Sequence, residues 1–305
     1  MKKSIIIIVI CLLIFITGYI LFIHTSYVPK QSSFHADINS VRKLCADTSE
    51  LPVAINTLIT GKGELLKWTI AAGDNSLSNQ YVQTSFQIVY NDKTIILDTP
   101  MDKKQFHEFK NVYEKQFFED AHQMLEEAMK QSSLIIFTHE HGDHMGGLAK
   151  SFFPDDLYKK AIVTKEQYDS RKIKKADFPP EVLTNINPLK YDNYYKVAPG
   201  IIMIKAPGHT EGHQMVYVKL KDGKEFLFTG DIVWNYNNIV RVKNRPILVT
   251  LAGGENCKQL GHLIRWLHNS IYKNDTINIH IIPSHDPEVI NSCIKEGLLG
   301  ESFTF

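Results

Sequence analysis

Nineteen residues near the start of the chain, Ile5 to Ile23, are apolar apart from Thr17 and Gly18, and no Asp, Glu, Lys or Arg lies between Ser4 and Pro29. As a helix the run measures about 28 Å, close to the roughly 30 Å hydrocarbon core of a bilayer. A buried core helix would carry a polar stripe, which is missing here. A cleaved signal peptide has an apolar core of about 7 to 15 residues and a small-x-small cleavage site. This run is longer, and the first alanine of the chain is Ala36. The pattern therefore predicts an uncleaved anchor over 5–23. Lys2 and Lys3 would keep a tip at 1–4 in the cytoplasm and place the rest outside it. Cleavage with secretion is the alternative.

Residues 24–50 are polar and mixed, and read as a tether with one short helix. From Leu51 to residue 305 the texture is that of a folded domain. Val53–Ile59 and Leu65–Ala71 read as strands around Gly61 and Gly63. Thr84–Tyr90, the Asn91-Asp92 turn and Thr94–Asp98 form a hairpin pattern. Lys104 to Lys130 lacks Gly and Pro and has apolar residues near helical spacing, which predicts one or two helices. Further strands are expected at Leu134–Phe137, Ile201–Lys205, Met215–Leu220, Phe226–Phe228 and Asn278–Ile282, with a helix over Glu255–Ser270. Together they predict an α/β or α+β fold with enough strands for two sheets.

Hydrophobic residues are 44% and charged residues 22% of the 305, so there is ample apolar surface to bury and disorder is excluded. The formal charge of +1 lacks the basic excess of a nucleic-acid binder, and none is expected as a partner. Cys11, Cys45, Cys257 and Cys293 form no CxxC pair, which excludes a Cys-type zinc ribbon and a thioredoxin-like dithiol. Three of them lie beyond the anchor, and the sequence does not fix which, if any, pair.

Histidine is the informative residue. His139-Glu140-His141-Gly142-Asp143-His144 starts where an apolar strand stops and a glycine-containing loop begins, the place where rigid scaffolds present functional side chains. In an extended backbone His139 and His141 point the same way, while Asp143 and His144 diverge. One segment thus offers ligands to two neighbouring metal positions. Further candidates stand at strand ends: His209 in Pro207-Gly208-His209-Thr210, Asp231 after Phe228-Thr229-Gly230, and His285 after Pro283-Ser284. Imidazole and carboxylate suit Zn²⁺, and also Fe or Mn. The remaining histidines read as structural or exposed, with a packing role for His213. Glu140 is expected to face away, and Asp286 to cap a helix before Pro287.

His-x-His-x-Asp-His followed by His, Asp and His resembles the metallo-β-lactamase superfamily over most of the chain after Leu51. The resemblance implies a four-layered αββα sandwich, preceded here by the transmembrane helix, with the site along one edge of the sheets. It implies that His139, His141 and His209 hold one divalent metal, that Asp143, His144 and His285 hold a second, and that Asp231 bridges them. Two ions, by default zinc, would supply hydroxide at neutral pH, and Asp143 would orient it or pass its proton to the leaving group.

Asp231 resembles lactonases and glyoxalase II-like thioesterases more than true zinc β-lactamases, which generally lack that aspartate. The pattern is similar to the acyl-homoserine lactonase branch, which has an oxyanion-stabilising Tyr three residues after the bridging Asp. Here Trp234 occupies that place, with Tyr236 nearby, and both are candidate substrate contacts. The aromatics between Leu148 and Lys196 (Phe152, Phe153, Tyr158, Tyr191, Tyr194, Tyr195) offer a substrate wall or simple packing. The expectation is a membrane-anchored dinuclear hydrolase opening an ester, thioester or lactone of a small molecule. The alternatives are a zinc β-lactamase, a mononuclear-iron persulfide dioxygenase-like oxidoreductase, and a non-catalytic metal-binding module. The sequence leaves the oligomeric state open.

Overall fold

Alternation along the strands decides the architecture. In the computed structural model, which describes residues 2–45, 50–152 and 157–305, two sheets form. The first has strand order β4-β1-β2-β3-β5-β6, built from β1 Ala54–Glu64, β2 Gln80–Val89, β3 Thr94–Leu97, β4 Tyr113–Phe117, β5 Leu134–Ile136 and β6 Ala161–Ile162. The second has order β11-β10-β9-β8-β7, built from β7 Tyr194–Ala198, β8 Ile201–Lys205, β9 Gln214–Lys219, β10 Glu225–Gly230 and β11 His280–Pro283. The short β3 and β5 pair in parallel, as do β10 and β11, while the hairpins β1–β2 and β8–β9 are antiparallel.

Successive residues on each strand enter different apolar layers, because side chains alternate across a strand. Ile95, Leu97 and Ile136 point inward and meet Met203, Val216, Val218, Phe226 and Phe228 of the second sheet. Their neighbours Ile96, Ile135 and Phe137 point outward under α4 (Glu119–Gln131) and α5 (Gly142–Ala149). On the second sheet, Ile202, Ile204, Met215, Tyr217 and Leu227 point outward under α2 (Ile38–Leu44) and α7 (Cys257–Trp266). Both faces of both sheets are therefore covered, giving the α/β sandwich in four layers. Other helices include α1 Lys2–Tyr19, α3 Lys103–Glu108, α6 Ile247–Gly253 and α8 Pro287–Lys295.

Three local expectations are corrected. Leu65–Ala71 is not a strand: β1 runs without a turn through Gly61 and Gly63, and a short 3-10 turn at Lys67–Thr69 follows. These glycines serve close approach, since a Cβ at Gly63 would stand 2.4 Å from Val112 Cγ1 and one at Gly61 2.9 Å from the Phe106 ring. The helical stretch 104–130 is split by β4, an edge strand whose mostly exposed residues carry no buried alternation. The helix over 255–270 begins at Cys257 and ends in a π-helical turn, Leu267–Tyr272.

Lys3–His24 is helical, with mean hydropathy 3.2 and its apolar side chains exposed. Residues 25–45 lie along the domain instead of hanging from it. Phe34 meets Trp266 edge-on at 5.3 Å, Arg265 donates to the Pro29 carbonyl, Arg42 pairs with Glu225, and Ile38, Val41 and Cys45 enter the outer core. Residues 46–49 of the expected tether lie outside the described residues. All four cysteines are free thiols.

Candidate metal centre

Four strands end at one edge and deliver the donors. The chain leaves β5 in extended form, carrying His139, and enters α5 with His141 as its N-cap, which sets Asp143 and His144 in the first turn. His209 follows β8, Asp231 follows β10 and His285 follows β11. Gly230, at φ +51°, lets the chain turn out of β10, and a Cβ there would meet His213 Nε2 at 2.7 Å and Thr138 at 2.9 Å.

The seven side chains converge in two adjoining clusters. His139, His141 and His209 form one, and Asp143, His144, Asp231 and His285 the other, with the donor atoms of each within 4.8 Å of one another. In the first, His141 Nδ1 lies 3.1 Å from His139 Nε2 and 2.9 Å from His209 Nε2. In the second, His144 Nε2 and His285 Nε2 are 3.1 Å apart. Asp231 stands between: Oδ1 is 3.0 Å from His285 Nε2 and 3.3 Å from His144 Nε2, while Oδ2 is 3.4 Å from His209 Nε2. All are buried except His141, which is half-buried.

Burial first, and then neighbouring imidazoles, holds His139 and His141 well below the usual histidine range. Burial does the same for His209, with Arg245 adding to it. Each ring is thereby favoured in its neutral form, and ring nitrogens of the three face one another at close range. Burial opposes the charge of His144 and His285 as well, but Asp98 and then Asp231 at His144, and Asp231 at His285, outweigh it and raise both. Asp231 Oδ1 is buried without a well-oriented hydrogen bond. Converging neutral imidazoles and an orphaned buried carboxylate oxygen are what a cation at each cluster would satisfy.

Outer partners fix the donors. Asp98 Oδ2 accepts from His144 Nδ1 at 2.8 Å and from the Thr138 hydroxyl at 2.8 Å. Glu255 Oε1 accepts from His209 Nδ1 at 2.7 Å, and Arg245, also buried, reaches Glu255 at 3.1 Å and the Asp231 carbonyl at 2.9 Å. His285 Nδ1 donates to the Val82 carbonyl at 2.8 Å. These orienting contacts set tautomer and ring direction. The seven side chains singled out in the sequence are the ones that cluster here, while Glu255, Arg245 and Tyr81 carried no sequence signal. Tyr81 stacks on His285 at 4.4 Å and donates its hydroxyl to Asp143 Oδ2 at 3.2 Å.

Other sequence candidates are placed as follows. Trp234 donates its indole N–H to Asp231 Oδ2 at 3.0 Å and lies under the Arg245 guanidinium at 4.3 Å. The donor expected to meet substrate is thus engaged with the carboxylate. Tyr236 packs on Tyr272 and the outer core of the second sheet. His213 stacks on His139 and its Nε2 accepts the Asp231 N–H, joining packing to support of the site. Glu140 is buried and holds the loop that carries His209 by accepting from Thr210 at 2.7 Å. Asp286 caps α8. Of the aromatic stretch, Tyr194 accepts from Asp37 N, Tyr191 bonds Gln214, and Phe152 is exposed; Phe153 lies outside the described residues.

Comparison with known proteins gives the family and the fold. Residues 79–262 match the model of the metallo-beta-lactamase superfamily. An N-acyl homoserine lactonase of a Bacillus species is 28% identical over 104 residues, 34% of this chain and 40% of the relative. The lactonase AiiA of Bacillus thuringiensis subsp. kurstaki is 27% identical over the same length. The match thus spans about 40% of these curated relatives. Among solved structures, an N-acyl homoserine lactone hydrolase with its product at the catalytic metal centre superposes at TM-score 0.56 and 17% identity, covering 80% of this chain and 97% of that one. The dizinc quorum-quenching lactonase AidC gives 0.55 at 14%, covering 78% and 90%. These likenesses show the fold.

Proposed function

This chain belongs to the metallo-beta-lactamase superfamily, and from that premise we propose that it is a membrane-anchored, dinuclear metal-dependent hydrolase of an ester, thioester or lactone. The observation that carries the proposal is Asp231, whose two oxygens face the two clusters separately. The lactonase relatives favour a lactone or a similar acyl compound as substrate.

His139, His141 and His209 would hold one divalent cation, Asp143, His144 and His285 the other, and Asp231 both. Zinc suits this donor set, and the dizinc lactonase neighbour supports it. When bound, such a pair lowers the pKa of water to about 7 and polarises the carbonyl. Hydrolysis adds water across the acyl–heteroatom bond: the acyl carbon gains the oxygen and the leaving oxygen or sulfur gains the proton. Asp143 would carry that proton, a role supported by the Tyr81 hydroxyl, which donates to its carboxylate. Trp234 and Arg245 hold Asp231 from the side and from its backbone. The apolar helix at 5–23 would hold the domain on the outer face of the membrane.

The test is purification of the full chain in detergent, metal analysis, and assay on lactone, thioester, phosphodiester and β-lactam panels. Two zinc ions per chain and hydrolysis of a lactone or thioester, lost on chelation and in Asp143→Ala, are expected. About one iron with oxygen uptake on a persulfide would overturn the proposal, and so would full activity of Asp143→Ala.

A further inference from the structure

The anchor and the metal centre meet in one short segment. The carbonyl of Thr25, the residue after the apolar helix, accepts from Ile247 N at 3.1 Å. Ile247 opens α6, and the two residues flanking this helix belong to the metal centre. Before it, Arg245 stands 3.3 Å from His209 Nδ1; after it, Glu255 accepts from the same ring. At no more than about 3.6 Å per residue, this connection keeps the donors on the order of 20 Å from the end of the apolar helix.

The outer face of α6 is apolar. Leu248 and Leu251, three apart and so on one face of the helix, are 41% and 60% exposed, while Thr250 on the other side is buried. Tyr27, two residues beyond the anchor contact, is 37% exposed and packs beside α7 at His262. Two leucines and a tyrosine beside the mouth of an apolar helix form the pattern of a surface resting at the headgroup boundary, where Tyr is enriched and apolar side chains enter the acyl region.

We infer that the Leu248–Leu251 face of α6 lies in the outer leaflet and turns the metal centre toward the bilayer, so that the substrate is an acyl compound resident in the membrane. The inference rests on the anchored-hydrolase reading and adds the substrate class to it. The occupant is lipid because α6 is bonded to the chain where it would leave the membrane; a soluble protein partner has no such tie.

The test uses the full chain reconstituted in phosphatidylcholine vesicles. A Leu251→Trp reporter is compared with wild type, which supplies the background of Trp68, Trp234 and Trp266. Lipids brominated on the acyl chain near the headgroup should quench most of the added emission; an unquenched reporter overturns the inference even if hydrolysis is intact. The double variant Leu248→Ser, Leu251→Ser should lose about tenfold in turnover of a vesicle-embedded long-chain lactone and keep its rate on a short, water-soluble one. Unchanged turnover of the embedded substrate, or equal loss on both, overturns the substrate assignment. If wild type hydrolyses no carbonyl compound, the hydrolase reading fails, while the quenching still decides the membrane contact.

Discussion

Asp98 reaches across the edge of the first sheet to hold His144, with 2.8 Å between its Oδ2 and the imidazole Nδ1. The aspartate sits at φ 60°, a left-handed conformation that Asp and Asn tolerate better than other side-chain-bearing residues. From that position Oδ1 also accepts from Thr138 N at 2.7 Å. One carboxylate thus ties the end of β3 to the end of β5 and aims a donor of the second cluster. Asp98→Asn keeps the backbone conformation and loses the charge. It should weaken metal binding at the second cluster about 10- to 100-fold and leave the first nearly intact. Competition with a chromogenic chelator, read as two steps, checks this.

Glu255 plays the corresponding part for the first cluster, where its carboxylate lies between His209 and Arg245. Glu255→Gln should weaken the first cluster about 10- to 100-fold and spare the second, the reverse of the Asp98 variant. Glu255→Ala also strands a buried guanidinium and should cost about 3–5 kcal/mol in stability. Urea titration of the metal-loaded protein separates the two effects.

Tyr81 touches two members of the second cluster through different parts of its ring system. Phenylalanine at 81 keeps the stack on His285 and removes the hydrogen bond to Asp143. A hydrogen bond to a charged group contributes about 1.5–3 kcal/mol. Tyr81→Phe should therefore lower kcat about tenfold or more with KM nearly unchanged. A matching rise in KM with kcat intact would show that Tyr81 serves binding alone.

Burial pushes the Cys45 thiol from the ordinary 9.0 up to about 11, and Cys293 likewise to about 11. Each native thiol stays protonated where the unfolded chain has begun to ionise. Their contribution to stability is therefore full below pH 9.0 and is lost as the pH rises toward about 11. The urea midpoint should fall across that window, and less so in Cys45→Ala. Both thiols should resist a disulfide-exchange reagent near neutral pH until the protein is unfolded.

The seven clustering residues were legible in the sequence as candidates because each obeys a local rule. His139, His141, Asp143 and His144 share one turn of chain at a strand end, and His209, Asp231 and His285 each follow a short apolar strand. The apolar run at 5–23, the alternating hairpins and the Asp286 cap are equally local, since periodicity and capping act over a few residues. The split of 104–130 was hidden because β4 is a largely exposed edge strand whose pairing with β1 is non-local.

Sequence alone thus determined which side chains could take part in metal chemistry and that the chain would bury two sheets. Only the tertiary structure decided their arrangement: that Asp231 faces both clusters, that Trp234 serves it, and that Tyr81, Glu255 and Arg245 hold the donors. It also decided that the stretch after the apolar helix lies against the domain and meets α6. The physical reason is that these contacts, the Trp234–Asp231 bond excepted, join residues well separated in the chain. A lone Tyr, Glu or Arg has no period or spacing to mark it until packing brings a partner within hydrogen-bond reach.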